Sequence, residues 1–141
     1  MATKADFTED EWKAMQKGVT GAGLLVSVGD RDFTDSFGEA SALAKYLGEQ
    51  RQSGETELVR ELSAVHGSGF GFTASPDKIE GETVDSLHAA VAALTSKAPD
   101  EVDPYRRLVL GVADHVANAK GGVAAGETAA IEKIESALGA A

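Results

Sequence analysis

Apolar residues recur at three- and four-residue intervals along most of this chain, and that spacing constrains its fold more than any other feature. Trp12, Met15, Val19, Ala22 and Val26 form the first such stripe, and Phe37, Ala40, Leu43, Ala44 and Leu47 form the second. Leu58, Leu62 and Val65 mark a third helix ending before Gly67. Val84, Leu87, Val91 and Leu94 carry a fourth that must stop before Pro99. Tyr105, Leu108, Val109, Val112 and Val116 carry a fifth, and Ala130, Ile131, Ile134 and Leu138 a sixth over roughly 125–138. No strand alternation of useful length competes with these stripes, including across Gly67-Ser68-Gly69-Phe70-Gly71-Phe72, which reads as a loop. The expectation is an all-α fold: a compact bundle of about six to seven helices in one domain over residues 1–141, with 1–6 as a flexible N-terminus.

Local signals place the helix ends. Thr8-Glu9-Asp10-Glu11 has the form of a capping box, with Phe7 and Trp12 placed as a hydrophobic staple. Asp35 or Ser36 caps the second helix, Ser53-Gly54 breaks it, and Gly121-Gly122 ends the fifth. Ser75-Pro76 and Asp103-Pro104 are cap-plus-proline starts, the first read as opening a short helical turn. Gly18, Gly21 and Gly23 each cost about 1 kcal/mol inside a helix. The first helix therefore needs a neighbour packed closely against that stretch, and a kink is the alternative.

Charge narrows the function. Lys and Arg number 13 against 23 Asp and Glu, giving a net charge of -10 that is spread over both halves. No window concentrates cations as a phosphate backbone requires, so nucleic acid and anionic membrane surfaces are poor partners. A cation or a basic protein patch is a better one. The absence of cysteine removes disulfides, thiolate nucleophiles, Fe–S clusters and cysteine-ligated zinc. With no leader-like N-terminus and no long apolar run, the chain reads as a soluble cytoplasmic protein without a membrane span.

Asp30, Asp32, Asp35 and Glu39 place four carboxylates within ten residues, a pattern suited to a hard divalent cation such as calcium or magnesium. The spacing is not that of an EF-hand, which begun at Asp30 would need Gly at Asp35 and Glu at Ser41. The plainer alternative makes them solvated loop and capping charges. Glu39 and Glu127 each head an apolar stripe, so the segments 23–47 and 112–134 read as a weak internal repeat of helix, polar turn and helix. An anion in a helix first turn needs no ligand to explain it, because the dipole stabilises it by about 0.3–1 kcal/mol. The histidines offer little catalytic pattern. Asp85 and His88 supply only one carboxylate–histidine pair, too few for a bundle di-metal centre. His115 precedes Lys120 by five residues, about 140° around a helix, which defeats a phosphotransfer reading. His66 ends a helix, where a cation suits the dipole.

The run Tyr105-Arg106-Arg107-Leu108-Val109-Leu110-Gly111-Val112-Ala113, then Val116 to Val123, Glu127, Ala130 to Ile134 and Ala137-Leu138-Gly139 resembles the tellurite-resistance TerB family. In that family an apolar helix runs into Asp-Gly-x-Ile/Val, three spacers, Glu and a second apolar helix ending near Leu-Gly. The resemblance is clearest over 105–139 and extends to 7–47. It implies an all-helical fold of pseudo-repeated helix pairs, no enzymatic activity, and an acidic surface binding a metal or partner proteins in the response to tellurite and other stresses. The family's Glu falls on Glu127 and its Gly and Val on Gly121 and Val123, but its Asp falls on Lys120, whose ammonium repels a cation. In the first turn Asp32 and Glu39 keep the Asp-to-Glu interval, with Phe33 in place of Gly. The implied site comprises Asp30, Asp32, Asp35, Glu39 and Glu127. The alternative from another class is a metal-free scaffold that recruits a basic protein or a second copy of itself.

Overall fold

Thr8 and Glu11 set the start of the first helix. In the computed structural model, which describes residues 4–29, 36–64, 76–117 and 125–139, the Glu11 amide donates to Thr8 Oγ1 at 3.1 Å. The Thr8 amide donates to Glu11 Oε1 at 2.8 Å, so two otherwise unpaired donors are satisfied reciprocally. From there α1 (Glu9–Gly29) runs without interruption. It is followed by α2 (Ser36–Ser53), α3 (Glu57–Leu62), α4 (Pro76–Lys97), α5 (Val102–Ala117) and α6 (Ala125–Gly139). Single 3-10 turns precede α1 at Lys4–Asp6 and α5 at Pro99–Glu101. Every regular element among the described residues is helical, and no helix there is long and apolar enough to cross a membrane.

Two boundaries differ from the sequence reading. Ser75-Pro76 was expected to open only a short turn, yet α4 continues from Pro76 to Lys97 as one helix. Gly81, the residue that suggests a break, is exposed with open space around it, so its cost is only its propensity. The third helix is shorter than expected. Ser63 closes α3 by directing both its amide and its hydroxyl to the Val59 carbonyl, at 3.0 and 2.8 Å. The loop expected at 67–72, Val65, His66 and the Gly121-Gly122 stop lie outside the described residues.

α1 is the centre of the bundle and packs against α4, α5 and α6, while α2 lies against α5. The stripe at the start of α1 anticipates one apolar face, but Gly18, Val19, Thr20, Gly21, Ala22 and Gly23 are all buried. Six consecutive buried residues require neighbours on every side of a helix. Their small side chains permit it. A Cβ on Gly18 would fall on the Tyr105 hydroxyl and within 2.9 Å of Leu87 Cδ2, and one on Gly21 would collide with the Thr83 hydroxyl. The glycines therefore allow α4 and α5 to approach the α1 backbone, and this contact offsets their propensity cost and keeps the helix unkinked. Thr20 is satisfied within α1, donating to the Gln16 carbonyl at 3.1 Å.

The pairings fix direction. Lys97 pairs with Glu11 and Lys17 with Glu82 at 2.9 Å, so α1 and α4 run antiparallel. Lys133 reaches Glu80 at 2.7 Å and ties α6 to α4. Tyr105, fully buried on α5, donates to the Met15 carbonyl of α1 at 2.8 Å. Arg106 Nε donates to the Leu138 carbonyl at 3.0 Å, satisfying an acceptor at the end of α6 that has no partner within the helix.

Two substitutions at the α1–α4 contact should differ in effect, only the first being destabilising. Gly21→Ala should lower unfolding free energy by about 1–3 kcal/mol through overpacking. The Thr83 hydroxyl is buried without a hydrogen-bond partner, so Thr83→Val should leave stability unchanged or raise it by up to about 1 kcal/mol. Urea unfolding of the two variants checks both signs.

Candidate functional site

The acidic residues singled out in the sequence fall at the junctions between helices. Asp30, Asp32 and Asp35 occupy the interval between the end of α1 at Gly29 and the start of α2 at Ser36, and lie outside the described residues. Glu39 is in the first turn of α2 and Glu127 in the first turn of α6, as their spacing anticipates, although neither side chain is among those described. Lys120, also outside the described residues, belongs to the interval between α5 and α6. Among the described residues no group of three or more His, Asp or Glu is placed to hold a metal ion.

The described histidines separate. His88 is exposed on α4, as is Asp85 one turn earlier. His115 is more constrained: its ring stacks on Tyr46 of α2 with centroids 4.2 Å apart and planes inclined by 30°. Its Nδ1 lies 2.8 Å from the Gly111 carbonyl, and since a carbonyl can only accept, Nδ1 carries the proton. Gly111 makes room for this arrangement, because a Cβ there would overlap the Tyr46 hydroxyl. Burial, and then the negative charges of Asp114 and Glu49, push the Tyr46 phenol above its ordinary value of 10. The cluster fastens α2 to α5, and stripe counting missed it. The available signal was Gly111 inside a strongly amphipathic helix, one turn before a histidine.

A second constellation surrounds the start of α3. Glu101 is only 5% exposed, and its carboxylate accepts from the Thr56 hydroxyl at 2.8 Å. The same hydroxyl accepts from the Val59 amide at 3.2 Å, so Thr56 caps α3 while giving a buried polar side chain a hydrogen-bond partner. Next to it, Arg107 grips Glu55 with two parallel bonds of 2.8 and 2.7 Å.

The third feature is a groove of about 690 Å³ at the entry to α1, lined by Phe7 and Trp12 together with Lys4, Glu9, Lys13, Gln16 and Glu61. It too escaped the sequence reading, which paired Phe7 with Trp12 as a staple but could not bring Glu61 of α3 to their side. The residues 4–6, expected from sequence to be a flexible N-terminus, form a 3-10 turn whose Lys4 and Ala5 line one side of this groove. The Lys4 amide donates to Glu61 Oε2 at 2.9 Å, and its ammonium sits 5.8 Å from the centre of the Trp12 ring.

Comparison with known proteins supplies no relative: no family model, no curated protein and no solved structure matches the chain.

Three carboxylates that join separate elements are held below their ordinary value of 4.5. A hydrogen bond from Lys97, then one from the Thr8 amide, lowers Glu11; Arg107 lowers Glu55; Lys17 lowers Glu82. A depressed carboxylate stabilises the fold above its unfolded-state pKa, and that contribution disappears as pH falls through the lower folded-state value. Melting temperature should therefore decline as pH drops below about 4.5. The decline should be shallower in a Lys17→Gln, Lys97→Gln, Arg107→Gln triple variant. A pH series of thermal melts from 7 to 3 makes the comparison.

Proposed function

We propose that the chain is a non-enzymatic, TerB-like binding domain of the tellurite and general stress response. It acts in the cytoplasm through an acidic surface made by Asp30, Asp32, Asp35 and Glu39, joined by Glu127 from the second turn. The ligand is a divalent cation, calcium or magnesium, or a basic partner protein. The observation that supports this reading is the placement of helix boundaries. One helix stops at Gly29 and the next begins at Ser36; later, one stops at Ala117 and the next begins at Ala125. Both segments compared in the sequence thus contain the end of one helix and the start of the next, and in each a Glu enters the first turn of the following helix. Carboxylates from such a turn are hard oxygen donors and suit a hard cation.

In this reading the two units are pseudo-repeats, and the asymmetry between them has a chemical meaning. The first turn keeps acids at both family positions, Asp32 and Glu39. The second carries Lys120 in place of the Asp, so its ammonium acts as an internal counter-ion to Glu127. The cation is then held by the first turn.

Isothermal calorimetry of chelator-treated protein with calcium, magnesium, manganese and zinc tests the reading. Saturable binding is expected in the parent chain and should fall at least about tenfold in Asp32→Asn and Glu39→Gln, each of which removes a charged oxygen donor. Absence of heat from every ion at millimolar concentration would rule out the cation and leave a metal-free scaffold for a protein partner or a second copy.

A further inference from the structure

Pairings between the helices fix which of their ends lie together. The end of α4 lies beside Glu11 through Lys97, and by Tyr105 the chain has reached Met15, so α5 rises along α1 in the same direction. Arg106 holds Leu138, near the end of α6, at that level. Five residues earlier on α6, Lys133 reaches Glu80, which stands almost one turn beyond the contact of Thr83 with Gly21. From Leu138 back to Lys133, α6 therefore passes from the level of Met15 to beyond that of Gly21, so it runs antiparallel to α1. On α2, Tyr46 meets Gly111 and His115, whereas Glu55, just past its end, meets Arg107, so α2 runs against α5. The starts of α2 and α6 thus lie at the end of the bundle where α1 and α5 finish, opposite the groove at the entry to α1.

Two contacts give α2 its direction: the Glu55–Arg107 pair just past its end, and the Tyr46–His115 stack nearer its start. The stack constrains more. Gly111 sets its depth, because a Cβ there would overlap the Tyr46 hydroxyl, and the bond from Nδ1 to the Gly111 carbonyl holds the His115 ring against rotation. Glu39 stands seven residues before Tyr46 on α2, about 10 Å along the axis and within about 20° of the same face. A tilt of about 10° at Tyr46 would move the backbone at Glu39 by roughly 2 Å, and a cation held by oxygens at about 2.3–2.6 Å loses a ligand to such a shift. We propose that the His115–Tyr46 stack is a positioning contact that aims the start of α2 at the start of α6, so that Glu39 and Glu127 serve one cation. The inference rests on the reading of the acidic turns as a cation surface and deepens it, by naming what holds the two halves of that surface in register.

The chain has no cysteine, so paired substitutions to cysteine can carry two nitroxide labels without background. Dipolar electron spectroscopy without calcium should give one narrow distance for Glu39→Cys with Glu127→Cys. It should be about 5–10 Å shorter than for Glu39→Cys with Glu135→Cys, since eight residues of helix span about 12 Å. His115→Ala should broaden the first distribution at least about twofold, and Tyr46→Leu, which removes the same stack from the other side, should reproduce the change. Tyr46→Phe keeps the stack and should leave the distribution as it is. In unlabelled chains, His115→Ala should weaken calcium binding about tenfold and Tyr46→Phe less than about twofold, the expected scale for a group that orients a ligand. A longer distance to position 127 than to position 135 would overturn the inference. So would an unchanged distribution in both His115→Ala and Tyr46→Leu, or a broadened one with parental calcium affinity. Absence of calcium binding to the parent chain would instead refute the cation reading, while the distances, measured without calcium, would still decide whether the stack aims α2.

Discussion

The close approach of α4 and α5 to the backbone of α1 is the contact on which the rest of the bundle depends. A helix whose residues 18–23 are all buried needs partners on every side, and small residues admit them. Gly18 and Gly21 leave space for Tyr105, Leu87 and Thr83. Tyr105 uses that space to place its hydroxyl on the Met15 carbonyl, so one buried polar group adds direction to an otherwise apolar contact. The residues that weaken α1 as an isolated helix are those that let it serve as the core of the assembled one.

Around this core, polar contacts do the orienting. Antiparallel α1 and α4 carry ion pairs at two levels, Glu11 with Lys97 and Lys17 with Glu82. The outer helix α2 is held differently. Stacking of Tyr46 on His115, the opening left by Gly111, and the Glu55–Arg107 pair just beyond its end seat it on α5. Surface ion pairs are individually weak. Here they choose among orientations that apolar packing alone would leave close in energy.

Much of the helical architecture was legible in the sequence because its signals are local. The Thr8–Glu11 box, the stripes, and the sixth helix starting at residue 125 all follow from spacing and capping chemistry. The glycines were legible as a demand for a close neighbour, but which helix meets it depends on tertiary packing. Ser75-Pro76 misled because proline at a helix start carries no information about how far the helix continues. The functional features were harder to read. Asp30, Asp32 and Asp35 cluster in sequence, and sequence proximity alone does not converge their oxygens. Conversely, Trp12 and Glu61 meet across about fifty positions of chain, and no periodicity could have paired them.

The capping box at Thr8 and the glycines at 18 and 21 together give α1 a fixed phase. Adding one residue between Thr8 and Gly18 would turn everything after it by about 100° and advance it by about 1.5 Å. Thr20 would then stand where Gly21 now faces Thr83, bringing a branched side chain into a contact that has no room for a single methyl group. The segment from the cap to Gly21 is thus a ruler: its side chains can vary where they face solvent, but its count of residues cannot.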